Sequence, residues 1–185
     1  CRLMVVTKKR SVADVEELLD RNFNFFGENR VQEALLKYST IKTKRNDYSL
    51  HLIGPLQSNK TKQALSVFDG IQSIDRKKII DEIQKFKNQE HRCNEFFIQV
   101  NIGKEPQKYG VMPEGIEELY DYAFQSQMEV KGLMCIPPDV EDPSQFFEEM
   151  NAIKNSLNPS LLLSMGMSND YKVALSYNSN IIRIG

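Results

Sequence analysis

Several features of specialised proteins are missing from this sequence. It has only three cysteines, Cys1, Cys93 and Cys135, an odd number without CxxC spacing. A closed disulfide framework is therefore excluded, and a reducing compartment such as the cytoplasm is expected. The two histidines, His51 and His91, lie far apart, which argues against a dedicated zinc site. No apolar run approaches the ~20 residues of a membrane-spanning helix, so no membrane contact is expected.

Neither sign of charge is in excess. The 24 Lys and Arg residues are balanced by 25 Asp and Glu residues, for a net charge of -1. A general nucleic-acid binder needs a basic surplus, so nucleic acid is not an expected partner. With 41% hydrophobic and 26% charged residues, the 185-residue chain has an ordinary globular composition. We expect a single domain over residues 1–185.

Both ends of the chain lie directly beside apolar segments. The chain begins with Cys1 rather than Met, and it stops at Gly185 immediately after an apolar run. We interpret the sequence as a fragment whose fold is truncated at both ends, so that targeting signals cannot be judged.

Short apolar runs alternate with amphipathic segments along the whole chain. Ser11 has the properties of a helix N-cap before the first amphipathic segment, which contains Val12, Val15, Leu18 and Leu19. The pattern predicts eight strands, each but the last followed by a helix. The predicted strands cover residues 3–7, 23–26, 50–53, 70–74, 96–100, 130–136, 161–163 and 180–184.

Continuous apolar strands between amphipathic helices are typical of a parallel sheet covered on its faces. Eight such units predict an α/β fold, a compact (β/α)8 TIM-type barrel, although a barrel usually takes ~250 residues. The alternative is an open doubly wound sheet. Against it, no GxGxxG motif follows any strand, and eight strands are many for a chain of this length.

In a (β/α)8 barrel, functional groups collect where the strands end. Lys8 follows the first strand, and a lysine amine in this position can be partly desolvated and act as a Schiff-base nucleophile. Ser164 and Gly185 belong to the ends of strands seven and eight, which bind a phosphate group in many barrels. A lysine opposite a phosphate site is the arrangement that pyridoxal 5′-phosphate requires. Spacing alone supports this only weakly.

The sequence also resembles the pyridoxal phosphate homeostasis proteins, whose fold is similar to the N-terminal barrel of alanine racemase. The similarity extends over nearly the whole chain, and HxIGxLQxNK and LSMGMSxD are specific in combination. The matching stretches, in family order, are VVTKKRS (5–11), FGENRVQEA (26–34), HLIGPLQSNK (51–60), QSID (72–75), IQVNIGKEPQKYG (98–110), VKGLMCIPP (130–138), LSMGMSNDYKVAL (163–175) and IIRIG (181–185).

The resemblance implies a role for each of several residues. Lys8 would carry pyridoxal phosphate as a Schiff base, with Lys9 as its rival. Asn29 resembles the asparagine that faces the cofactor ring, although an asparagine there could also cap a helix. His51 lies where the family has a histidine inside the barrel mouth; a core histidine with a satisfied hydrogen bond is the alternative.

Three residues near the end of the chain are also implied. Ser164 resembles a phosphate ligand, and Gly185 would supply a backbone amide to the phosphate. Ser168 and Asp170 are more readily explained as a helix cap. Arg183 resembles the arginine near the pyridine nitrogen, with an internal ion pair as the alternative interpretation. Because arginine does not give up its proton, that nitrogen would stay unprotonated and the ring would be a poor electron sink.

The function implied by the resemblance is to hold pyridoxal phosphate and deliver it to apo-enzymes within the cell, as a monomer and without substantial catalysis. The alternative is a pyridoxal-phosphate-dependent amino-acid racemase. Racemisation needs a base on each face of the substrate, and nothing here resembles the second base, which alanine racemase takes from a second domain of a partner subunit. Lys108, in a glycine-flanked loop, could act as a secondary aldehyde acceptor or be a solvated lysine.

Overall fold

The eight predicted strands and seven predicted helices are all present. The computed structural model describes every residue from 1 to 185. The strands are β1 (Arg2–Val6), β2 (Phe25–Glu28), β3 (Ser49–Leu52), β4 (Gly70–Ile74), β5 (Glu95–Val100), β6 (Val130–Cys135), β7 (Leu162–Ser164) and β8 (Ile181–Ile184). The helices are α1 (Val12–Asp20), α2 (Val31–Lys42), α3 (Thr61–Val67), α4 (Lys77–Gln84), α5 (Ile116–Gln125), α6 (Ser144–Leu157) and α7 (Tyr171–Ser176).

The strands form a closed parallel barrel in chain order. Each strand pairs with the next, and β8 returns to pair with β1 through four residue pairs, from Arg2 with Ile181 to Val5 with Ile184. The prediction of a (β/α)8 barrel is therefore confirmed, and the open-sheet alternative is wrong. All eight strands end on the same face of the barrel, so the loops that follow them meet there.

Local sequence signals explain where the elements begin. Ser11 is the N-cap of α1 as predicted, because its hydroxyl accepts from the Asp14 N–H while the Asp14 carboxylate accepts from the Ser11 N–H. The second strand begins at Phe25, two residues later than predicted. Asn22 has φ 66°, so the turn after α1 extends to this point and leaves Phe23 partly exposed.

Apolar side chains fill two separate cores. The larger has 35 buried residues between the barrel and its helices. The smaller lies inside the barrel and contains Met4, Phe25, Phe97, Met134 and Ile181. The interior is crowded, since a Cβ on Gly132 would lie 2.5 Å from the Phe97 ring. Inward-facing glycines therefore make room for the large side chains that fill the barrel.

Three further features of the structure concern its thiols, the apolar character of its helices and its possible metal ligands. All three cysteines are free thiols. No helix combines the length and the apolar character needed to cross a membrane. No group of three or more His, Cys, Asp or Glu side chains is arranged to hold a metal ion.

Candidate functional site

A cavity of about 520 Å³ opens at the carboxyl ends of the strands. Residues that follow seven of the eight strands contribute to its wall, among them Lys8, Asn29, Gly54, Tyr109, Ile136, Ser168 and Gly185. Arg183, within β8, also faces it. Of the six predicted site residues, Lys8, Asn29, Arg183 and Gly185 are therefore brought together, whereas His51 and Ser164 are not part of the cavity wall.

Lys8 lies in a tight turn directly after β1. The Arg10 N–H donates to the Thr7 carbonyl at 3.0 Å across this turn, and Lys9 adopts φ 60°. A lysine with positive φ is uncommon and is kept there only by its surroundings. Lys8 and Lys9 both line the cavity and both are exposed. The partial desolvation predicted for the Lys8 amine is therefore not seen.

A buried ionic cluster supports this turn from below. Lys37, only 6% exposed, donates to the Thr7 carbonyl and to Glu28 Oε1, each at 2.6 Å, and lies 3.2 Å from Glu33 Oε1. The Thr7 hydroxyl also donates to Glu28 Oε1 at 2.8 Å. Glu33 accepts from the Lys9 N–H at 2.5 Å. The backbone on both sides of Lys8 is therefore fixed by buried or half-buried side chains. This cluster was not predicted from the sequence.

In this cluster, hydrogen bonds from Lys37 oppose the effect of burial on the pKa values of the two carboxyl groups. Burial raises the pKa of Glu28, and the hydrogen bonds from Lys37 and Thr7 oppose that rise. Glu33 is less buried, and hydrogen bonds from the Lys9 N–H and the Lys37 ammonium hold the pKa of its carboxyl below the usual value against the effect of burial. Lys37 thus has two carboxylates for one ammonium group.

Arg183 is a buried cation at the floor of the cavity. It is 3% exposed, and its guanidinium donates to Ser164 Oγ at 2.9 Å and to the Cys135 carbonyl at 2.7 Å. It takes part in none of the ion pairs of the structure, so the internal ion pair considered from the sequence is not formed. Burial lowers the pKa of Arg183, as expected for a desolvated cation.

Ser164 accepts from Arg183 directly, and Gln72 connects Ser164 to His51. The Ser164 hydroxyl lies 2.6 Å from Gln72 Oε1, and Gln72 Nε2 lies 3.0 Å from His51 Nδ1. All three of these side chains are fully buried inside the barrel. Ser164, predicted as a phosphate ligand, therefore has its hydroxyl engaged beneath the cavity. Gln72 was missed from the sequence, although a glutamine within an apolar strand must find buried partners.

His51 lies near the other end of the barrel rather than at the mouth. Its ring packs edge-on against Phe25, with centroids 4.8 Å apart, and its Nε2 lies 3.8 Å from Glu95 Oε2. Phe25 and Glu95 are the first residues of β2 and β5. Burial lowers the pKa of His51 to about 3, and the Arg2 charge contributes. The histidine is therefore neutral. It is a core residue whose Nδ1 is hydrogen-bonded to Gln72, but its buried Nε2 has no hydrogen-bond partner.

Asn29 faces the cavity without capping the following helix. The N-cap of α2 is Arg30, and no side chain caps that end. Gly54 lies against Asn29, since a Cβ on Gly54 would lie 2.1 Å from the Asn29 carbonyl oxygen. The interpretation of Asn29 as a cap is wrong, and the residue forms part of the cavity wall.

The far wall of the cavity is formed by Gly185 and the loop after β7. A Cβ on Gly185 would lie 2.8 Å from the Val6 Cβ, so only glycine fits this close approach of β8 to β1. In the loop, Gly166 adopts φ 99°, and the Asp170 carboxylate accepts from the Met167 N–H at 2.5 Å. Asp170 is at the N-cap position of α7 but does not bond to that helix through its side chain. The loop leaves Ser168 facing the cavity.

Lys108 lies outside this cavity. Its ammonium is paired with Glu105 Oε2 at 2.6 Å. It lines a neighbouring cavity of about 380 Å³, which shares Ile136, Met167 and Ser168 with the first. Asn101 fixes the loop through hydrogen bonds to the backbone of Glu105. The secondary-acceptor hypothesis would require Lys108 to leave Glu105.

Fold and site together define a class: (β/α)8-barrel proteins with a ligand cavity at the strand ends, in which a lysine and a buried, unneutralised arginine face the same space. No family model matches the sequence. The chain is 39% identical over 180 residues to the pyridoxal phosphate homeostasis protein of Aquifex aeolicus, covering 92% of this chain and 78% of that protein. The chain belongs to the family of pyridoxal phosphate homeostasis proteins.

Two solved structures extend the comparison. PipY of Synechococcus elongatus, 28% identical, covers 100% of this chain and 90% of its own, with TM-scores of 0.85 without pyridoxal phosphate and 0.81 with it bound. The alanine racemase of Bacillus anthracis, 13% identical, covers 100% of this chain and 50% of its own with a TM-score of 0.72. The second likeness concerns the fold alone, and it confirms the predicted similarity to the alanine racemase barrel.

Proposed function

We propose that this protein binds pyridoxal 5′-phosphate through a Schiff base to Lys8 and acts within the cell in vitamin B6 homeostasis and delivery, without substantial catalysis. Apo-enzymes that take up the cofactor are the proposed partners, and the protein acts as a cytoplasmic monomer. Membership of the family and the pyridoxal phosphate bound to PipY support this proposal.

One observation carries the proposal: a single cavity is lined by Lys8 after β1 and by Arg183 and Gly185 at the end of β8. Its volume of about 520 Å³ lies within the ~300–1,000 Å³ of small-ligand sites. Arg183 is buried beside only neutral acceptors, so its charge favours an electron-rich ligand atom. The residues present therefore fit the cofactor.

The cofactor supplies an aldehyde, to which a primary amine adds with loss of water. Lys8 offers that amine from a fixed turn, because the Lys37 cluster holds the backbone beside it. With the cofactor bound, Asn29 would present its amide to the ring, and Arg183 would keep its proton and donate to the ring nitrogen. Gly185, with the loop of Met167 and Ser168, is suited to the phosphate since its backbone can be approached closely. Ser164 and His51 act from below the cavity.

The proposal is tested by adding pyridoxal phosphate to the protein and recording the visible absorption band of the bound aldehyde. Lys8→Ala should abolish the band. Lys9→Ala is the matched control, because Lys9 is adjacent, exposed and lines the same cavity. A band that survives Lys8→Ala and disappears in Lys9→Ala would show that Lys9, and not Lys8, binds the aldehyde.

The racemase alternative makes a different prediction. Arg183 would leave the ring nitrogen unprotonated, which is compatible with both storage and racemisation and does not discriminate between them. Lys9 and Tyr109 are the other cavity side chains that could carry a proton. We expect no enzymic interconversion when the loaded protein is incubated with L-alanine alone. Conversion to D-alanine that is lost in Lys8→Ala would support the racemase instead.

A further inference from the structure

A directional chain of hydrogen bonds runs from the cavity floor into the barrel. An arginine can only donate, so Ser164 Oγ accepts from Arg183 and its own proton points at Gln72 Oε1. The Gln72 amide oxygen is thereby fixed as the acceptor, and its NH₂ group must face His51 Nδ1. His51 therefore accepts at Nδ1 and keeps its single proton on Nε2.

We propose that Gln72 is a positioning residue, which fixes the Ser164 hydroxyl so that it accepts from Arg183 and thereby holds the guanidinium towards the cavity. This inference rests on the proposed function, in which Arg183 points at the bound cofactor. Neutral His51 is the anchor at the far end of the chain. The guanidinium has no carboxylate partner, so these neutral acceptors alone determine its orientation.

A primary amide matches both of its neighbours. The position needs an acceptor towards Ser164 and a donor towards His51, which glutamine combines in one rigid plane. The neighbouring strand residue Gly70 makes space for the imidazole, since a Cβ there would lie 2.5 Å from His51 Cε1. Ser73, next along β4, is equally buried but has no hydrogen-bond partner. It provides a matched control on the same strand.

The direction of the chain is tested without cofactor, by nitrogen NMR of the two imidazoles. A His91→Gln variant assigns the signals of His51. We expect Nδ1 to be unprotonated and Nε2 to carry the proton. In Gln72→Glu a carboxylate oxygen replaces the amide nitrogen beside His51, so the imidazole proton should move to Nδ1. Ser73→Ala should leave the spectrum unchanged. A proton on Nδ1 in the parent protein would overturn the inference.

The positioning role is tested by pyridoxal phosphate titration. Gln72→Met removes both hydrogen bonds at similar volume, and we expect about tenfold weaker binding and a shifted absorption maximum, as for loss of one buried hydrogen bond. Ser73→Ala, the matched control, should bind within about threefold of the parent.

The two proposals can fail separately. If Gln72→Met binds pyridoxal phosphate as tightly as the parent with the same absorption maximum, the positioning role is wrong while the function of Lys8 stands. If the parent protein forms no visible band, the proposed function fails, and the positioning role, which rests on it, fails too. Should Gln72→Met not fold, Ser164→Ala removes the acceptor that Gln72 positions, and unchanged binding by that variant would overturn the positioning role.

Discussion

The barrel buries two cations, and it treats them differently. Lys37, under the β1 turn, contacts Glu28 at 2.6 Å and Glu33 at 3.2 Å. Arg183, at the floor of the cavity, contacts only the Ser164 hydroxyl and the Cys135 carbonyl. The two side chains are similarly inaccessible, at 6% and 3% exposure. The charge of one is neutralised by the protein, and the charge of the other is not.

This difference separates a structural group from a binding group. A buried charge without a counterion costs free energy that a fold built for stability alone would avoid. Lys37 has its counterions and holds the backbone beside Lys8 in place. Arg183 lacks one and faces the cavity that Lys8 and Gly185 also line. We infer that the missing counterpart of Arg183 is a ligand.

The largest expected effect comes from breaking the neutralised pair. Lys37→Met leaves Glu28 buried without its cation, and we expect the free energy of unfolding to fall by about 3–5 kcal/mol. Denaturant unfolding measures this. Lys44→Met is the control, because Lys44 pairs with Glu16 at the surface and should change stability by less than about 1 kcal/mol. Equal effects of the two substitutions would contradict a structural role for Lys37.

His51, the neutral residue at the end of the hydrogen-bond chain from Arg183, should make the free energy of unfolding depend on pH. Burial lowers the pKa of His51 from 6.5 to about 3, so the unfolded chain binds a proton that the folded protein does not. The stabilisation from neutral His51 is complete above pH 6.5 and is lost as the pH falls towards 3; between pH 6.5 and pH 5 the loss should be about 2 kcal/mol. Denaturant unfolding at pH 7 and pH 5 measures it. His51→Gln should reduce the pH dependence by this amount, and an unchanged dependence would place the titration elsewhere.

Removing Arg183 should affect the ligand more than the fold. Arg183→Met takes away a buried charge that has no counterion, so we expect a change in unfolding free energy below about 2 kcal/mol. The affinity for pyridoxal phosphate should fall at least about tenfold, as for a lost charge-assisted hydrogen bond. Titration by absorbance measures the affinity. A variant that loses stability and keeps its affinity would make Arg183 a structural residue like Lys37.

The smallest expected effect is at the edge of the cavity. Gly185→Ala places a Cβ 2.8 Å from the Val6 Cβ and 2.9 Å from the Val6 carbonyl oxygen, so one strand end must shift. We expect about fivefold weaker binding of pyridoxal phosphate, equivalent to about 1 kcal/mol. Gly115→Ala, where a Cβ meets only Val111 Cγ2 at 3.3 Å, is the control and should bind normally. Normal binding by Gly185→Ala would remove Gly185 from the phosphate site.

The fold was predictable because the strands of a closed parallel barrel are apolar runs that end in turn signals. Most strand boundaries agree within a residue or two, and β4 agrees at both ends. The start of β2 was predicted two residues too early. The positive φ of Asn22 extends the turn after α1, and the pattern of apolar residues gives no sign of this. Lys8 and Gly185 were found because they follow strands, where a barrel collects its functional residues.

The interior partners were harder to predict, because pairing across a barrel leaves no trace in local spacing. Gln72 and Ser164 are 92 residues apart, yet their side chains lie 2.6 Å from each other. A signal did exist: a polar residue inside an apolar strand needs a buried partner. Lys37 gave a similar signal, since it falls on the stripe of α2 that buries Ala34, Tyr38 and Ile41.

The most direct test of the account is to identify the amine that holds the aldehyde. The protein loaded with pyridoxal phosphate is reduced with borohydride, digested and mapped by mass spectrometry. The account predicts a pyridoxyl group on Lys8, at the turn that the Lys37 cluster fixes beside the cavity. Labelling confined to Lys9 or Lys108, or no label at all, would contradict it.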